Sequence, residues 1–206
     1  MKDNYAIMAE QARQLFLTYD QEKLCRRLGL GYTAEYIPIR FLDQTLRIRR
    51  SDGQVLTAAG EKAGFTAVLS VYDLLCHSEE PPRLQGQFVP TTALHRIQGT
   101  HSVHENFHSR EADFFDARQD ALHRACLGLG GVPSAPGDIC YILPVFDCFP
   151  CCLRFWAADE EFPASLQYFW DAKATDFVHY ETLWYIAGAL SRRLMELTST
   201  KCEALF

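Results

Sequence analysis

His104-Glu105-Asn106-Phe107-His108 sets two imidazoles four residues apart with a carboxylate between them. On a helix, side chains at that spacing share a face. Both histidines could then ligate one zinc ion while Glu105 activates a metal-bound water as general base. His101 joins the same arc if the helix begins one turn earlier. A metzincin extension would need Gly at 111 and His at 114, where the chain has Glu111 and Phe114. Glu111, Asp113 and His123 remain as third ligands, none at a decisive spacing. The same residues also suit a metal or tetrapyrrole contact without catalysis, or a plain polar helix start.

Cys148-Phe149-Pro150-Cys151-Cys152, with Cys140 upstream, is the second constellation. A C-x-x-C pair with a lowered thiol pKa suits disulfide exchange, and four thiolates could hold an iron–sulphur cluster. Here the motif enters a strand rather than a strand-to-helix turn. Within a strand Cys151 and Cys152 point to opposite faces, which spoils joint ligation. No histidine follows the pair, so covalent haem attachment is excluded. The expectation is burial of these thiols as small hydrophobes.

Asp159, Glu160 and Glu161 form the third, with Asp138, Asp171, Asp176 and Glu181 near them if the flanking strands pair. Clustered carboxylates hold hard cations or split their pKa values for acid/base work; the plainer reading is a solvated turn with helix-capping acids. Aromatic side chains run alongside, including Trp156, Trp170 and Trp184. They either wall a pocket for a flat ligand or form core. A binding site is therefore expected around Asp159, Glu161 and Asp171, with Trp156 and Trp170.

These residues must be positioned by the elements around them. Residues 3–19 carry apolar side chains at helical spacing, and Asp20 can cap a second helix ending at Gly29. Tyr32–Arg40 and Gln44–Arg49 alternate like a hairpin closed near Leu42-Asp43, with a short third strand at Gln54–Thr57. Glu61–His77 returns to helical spacing, and Glu79-Glu80-Pro81-Pro82 breaks it. Residues 83–100 show no long period. Ser102 and Glu105 form a capping box for one helix over Val103–Leu127. Strands follow at Ile139–Phe146, Cys151–Ala157 and Leu166–Asp171. The last helix sets Leu183, Ile186, Ala187, Leu190, Leu194 and Leu197 on one face. Helices and antiparallel hairpins segregated along 206 residues predict one α+β domain, with antiparallel sheet, packed helices and a long C-terminal amphipathic helix.

A net charge of −6 disfavours nucleic acid, which needs a basic footprint. The one basic cluster, Arg40, Arg47, Arg49 and Arg50, reads as a solvated strand face. No run approaches the ~20 apolar residues of a spanning helix. With no signal-like N-terminus, a cytoplasmic protein with reduced thiols is expected.

Gly137-Asp138, Leu143-Pro144, Phe149-Pro150, Trp156 with Asp159–Pro163, Phe169 with Asp171-Ala172, and Tyr180-Glu181 come in an order that resembles the domain-of-unknown-function 3786 family. The resemblance spans most of the chain and is most specific over 137–198. It transfers no catalytic residue and implies an association with anaerobic one-carbon or redox metabolism. Its implied role is an accessory or ligand-binding protein with a small-molecule or protein partner. The alternatives are a zinc hydrolase through His104, Glu105 and His108, and a redox protein through Cys148 and Cys151.

Overall fold

A computed structural model describes residues 4–79, 81–94 and 108–199. Helices α1 (Asn4–Thr18) and α2 (Gln21–Leu28) open it. Asp20 separates them: its Oδ1 accepts the Glu22 and Lys23 amides at 3.0 and 3.1 Å. Gly29, left-handed at φ 67°, closes α2. Both ends follow from residue type, a carboxylate for orphan amides and a residue without Cβ for the reversed turn.

Strands β1 (Tyr36–Phe41), β2 (Gln44–Arg49) and β3 (Val55–Leu56) form a three-stranded antiparallel sheet. Leu42 in the β1–β2 turn takes φ 56°, rare for a branched side chain. Burial to 5% exposure and a hydrogen bond donated by its amide to the Val145 carbonyl at 2.8 Å hold it there. That bond also ties this turn to the second sheet.

Helix α3 (Phe65–His77) leads to β4 (Phe88–Pro90), and α4 (Ser109–Asp116) and α5 (Gln119–Gly128) follow. The single helix expected over 103–127 is thus interrupted at Ala117-Arg118, and residues 103–107 lie outside the described set. The Arg118 amide donates to the Phe115 carbonyl at 2.7 Å, a tighter turn than the α-helix. Its guanidinium folds back over the Phe114 ring and donates to the Phe114 carbonyl, satisfying one helix-end acceptor.

Strands β5 (Val132–Pro133), β6 (Ile139–Phe146), β7 (Phe149–Trp156) and β8 (Ser165–Asp171) join β4 in a five-stranded antiparallel sheet, order β4-β8-β7-β6-β5. Helix α6 (Tyr180–Ser199) ends the described chain. One apolar core runs from Phe16 through Leu46 and Leu74 to Leu143, Leu153 and Leu190, so both sheets and the helices make one α+β domain. Packing is closest at Gly131, where a Cβ would sit 2.7 Å from both the Cys126 carbonyl and Leu143. Among the described residues no helix is long and apolar enough to cross a membrane.

Candidate functional site

The segment between β7 and β8 is a braced turn. The Asp138 carboxylate accepts the Ala157 amide at 2.8 Å, and that of Asp116 accepts the Ala158 amide at 3.0 Å. Asp159 Oδ1 accepts the amides of Glu161 and Phe162 at 2.8 and 2.7 Å, folding the turn around its own side chain. These two amides, Phe162's first, hold the Asp159 carboxyl below its usual range.

Between this turn and the start of α4 lies a groove of about 840 Å³. Asp113, Asp138 and Asp159 bring carboxylates to it, Trp156 and Phe162 bring aromatic rings, and His108 stands at its α4 end. No lysine or arginine is among its described lining residues. Phe162 is 66% exposed, an unusual state for so large an apolar ring and one that leaves its face open to a ligand. The arrangement presents negative charge beside two aromatic rings.

His108 is buried at the head of α4. Its Nδ1 lies 3.4 Å from Ser191 Oγ on α6, which in turn lies 2.8 Å from the buried Tyr168 hydroxyl. Its ring meets Tyr168 edge-on, centroids 4.9 Å apart. Burial pushes the imidazole pKa down, opposed by Glu111, whose Oε1 is 4.0 Å away. His101, His104 and Glu105 lie outside the described residues. Of the other suggested ligands, His123 is engaged by the Tyr141 hydroxyl at 2.6 Å. Among the described residues no three His, Cys, Asp or Glu side chains gather to hold a metal ion.

The expected binding residues separate along β8. Trp156 and Asp159 line the groove, and Glu161 is exposed on the adjoining turn. Asp171 and Trp170 sit at the other end of the strand. Asp171 is 1% exposed and accepts three backbone amides, from Gln85 (2.9 Å), Gly86 (2.7 Å) and Lys173 (2.8 Å). Trp170 is fully buried, stacked on Phe149 at 5.7 Å, with Nε1 donating to Thr91 Oγ1 at 3.0 Å. Phe162 lies within the Asp159–Pro163 stretch but is no acid/base or ligating type, so its residue-level signal is an aromatic ring inside an otherwise polar turn.

Cys151 packs into the main core while Cys152 faces the other side of the sheet, as strand alternation requires. There Cys152 Sγ lies 3.7 Å from that of Cys140, a pair of free thiols. Burial pushes the Cys148 thiol up to about 11 and raises that of Cys151 as well. The basic cluster is occupied internally. Arg40 donates to the Leu42 and Leu129 carbonyls, Arg47 to that of Ala58, Arg49 to Asp52, and Arg50 to the Thr33 carbonyl and Gln21.

Fold and site together define an α+β domain with an acidic, aromatic-edged groove at one end of its larger sheet. The chain belongs to the family described as a domain of unknown function, DUF3786, which matches residues 20–193. No curated protein and no solved structure matches it.

Proposed function

We propose that this is a soluble cytoplasmic ligand-binding protein, accessory to anaerobic metabolism, that takes a small organic cation in the groove beside the Asp159 turn. The observation that carries the reading is the groove's lining: three aspartates, no lysine or arginine among its described residues, and the rings of Trp156 and Phe162. An organic cation gains from both features, through charge pairing with the carboxylates and cation–π contact with the rings. Asp138 and Asp159 already accept backbone amides, so their positions are fixed before a ligand arrives. Asp113 contributes the third carboxylate from α4, where it is exposed.

The zinc-hydrolase reading rests on His104, Glu105 and His108, the first two outside the described residues, and gains no support from a described ligand set. The thiol-exchange reading needs a depressed thiol pKa, and Cys148 and Cys151 are both raised.

Calorimetric titration with choline tests the proposal against 3,3-dimethylbutan-1-ol, its uncharged isostere. Choline binding that weakens with added salt and in Asp113→Asn or Phe162→Ala is the expected result. Equal binding of the two compounds, or none of choline, overturns it.

A further inference from the structure

Helices α1 and α3 and the start of α6 enclose a second cleft of about 550 Å³, which shares no lining residue with the acidic groove. Its walls are apolar and aromatic, built from Met8, Leu15, Tyr19, Leu69, Tyr72 and Tyr185. Tyr72 contributes its ring, because its hydroxyl donates to the Gly53 carbonyl.

A polar cluster stands among these walls. Asp73 and His77 come from the last turns of α3, and His179 immediately precedes α6. Asp73 accepts from His179 twice: the backbone amide reaches Oδ2 at 2.8 Å and the ring reaches Oδ1 from Nδ1 at 2.5 Å. A carboxylate only accepts, so Nδ1 carries the hydrogen and the neutral ring keeps its lone pair on Nε2. The His77 ring lies against it, centroids 3.7 Å apart and planes tilted by 31°, its own Nε2 donating to the Thr175 carbonyl at 3.2 Å. Two neighbours thus fix the His179 tautomer and plane.

The cleft selects against anions and offers a cation little. No lysine or arginine is among its described lining residues to receive a carboxylate, and Asp73 and Glu181 would repel one. An ammonium would lose water against the apolar walls, where Asp73 is already bonded twice by His179 and Glu181, the other carboxylate, is solvent-exposed. A neutral aromatic ring suits the Tyr19, Tyr72 and Tyr185 walls, and one hydroxyl donor suits Nε2. Cys76, also in the lining, has its thiol pushed up to about 11 by burial and stays protonated, so the site binds without an obvious nucleophile.

We propose that the α1–α3–α6 cleft is a binding site for a neutral phenolic compound, its ring held among the tyrosines and its hydroxyl donating to His179 Nε2.

Proton–carbon NMR of the histidine Cε1–H groups tests this, with 4-ethylphenol as probe and 4-ethylanisole, which lacks the donor, as control. Expected is a saturable shift of the His179 resonance with 4-ethylphenol and affinity about tenfold weaker for the anisole, the loss of one hydrogen bond. Leu15→Trp, which fills the cleft from a half-exposed position and leaves Asp73 and His179 in place, should abolish the shift. Equal affinity for phenol and anisole, an unchanged titration in Leu15→Trp, or no saturable shift overturns the proposal.

Discussion

The Asp171 carboxylate receives the Gly86 amide at 2.7 Å across 85 residues of chain, with Gln85 bonded alongside. The segment entering β4 is therefore pinned to the end of β8 by one side chain. Asp171→Ala should lower stability by roughly 2–4 kcal/mol, since it orphans amides that a buried charged acceptor now satisfies. Asp171→Asn, which keeps acceptor oxygen on one side only, should fall between. Urea unfolding reads both. A neutral Asp171→Ala would refute the structural role.

Tyr168 and Ser191 make the only described hydroxyl pair that joins β8 to α6, at 2.8 Å in a buried setting. Tyr168→Phe should cost about 1–2 kcal/mol, because it leaves the Ser191 hydroxyl short of a partner. Ser191→Ala should cost a similar amount and the double variant clearly less than the sum. Additive losses in a double-mutant cycle would show that the pair is not coupled.

His108 gives stability a pH dependence whose direction is fixed. Its folded pKa is depressed below the ordinary 6.5, chiefly by burial. Below that value unfolded chains take up a proton that folded chains refuse, so stability is lost as pH falls from 6.5 through the folded value. The loss is at most about 1.4 kcal/mol per pH unit for this one group. Denaturation at pH 7.5 and pH 5.0 should show a smaller fall in His108→Gln than in the unaltered protein. A steeper fall in the variant would contradict it.

Cys148, with its thiol at about 11, should be a sluggish nucleophile. At pH 7.5 roughly one molecule in three thousand carries the thiolate, against about one in ten for an unperturbed cysteine. Iodoacetamide labelling followed by peptide mass spectrometry should show slow modification of Cys148 that accelerates up to about pH 11. Rapid labelling with an apparent pKa below 8 would restore the thiol-exchange reading.

Features that depend on local chemistry were legible in the sequence. Asp20 and Gly29 mark the ends of α2, and the apolar stripe from Leu183 to Leu194 marks α6. Features that depend on distant backbone were not. Asp171 could be read as one carboxylate of the expected binding site, but its partners are amides near Gln85, and an amide has no residue type to recognise. Strand β4 is three residues long and its partner lies far along the chain, so no periodicity announces it. The break at Ala117-Arg118 escaped notice because neither residue is a helix breaker; the arginine's reach back over Phe114 decides it. The groove was half legible. Its acidic turn could be read directly, whereas the approach of His108 and Asp113 to that turn is set by how α4 packs on β8.

The order of strands in the larger sheet also bears on how the chain folds. Strands β6, β7 and β8 are sequential neighbours, so their pairing closes short loops and carries a small entropic cost. The β4 strand aligns Phe88 with Asp171, and its alignment must wait until the whole intervening chain has been gathered in. Local pairs form before distant ones when stability is comparable. Chain entropy alone therefore favours the three-strand meander as the earlier pairing and β4 as the later one, with the Asp171 carboxylate as the clasp that holds the late strand in place.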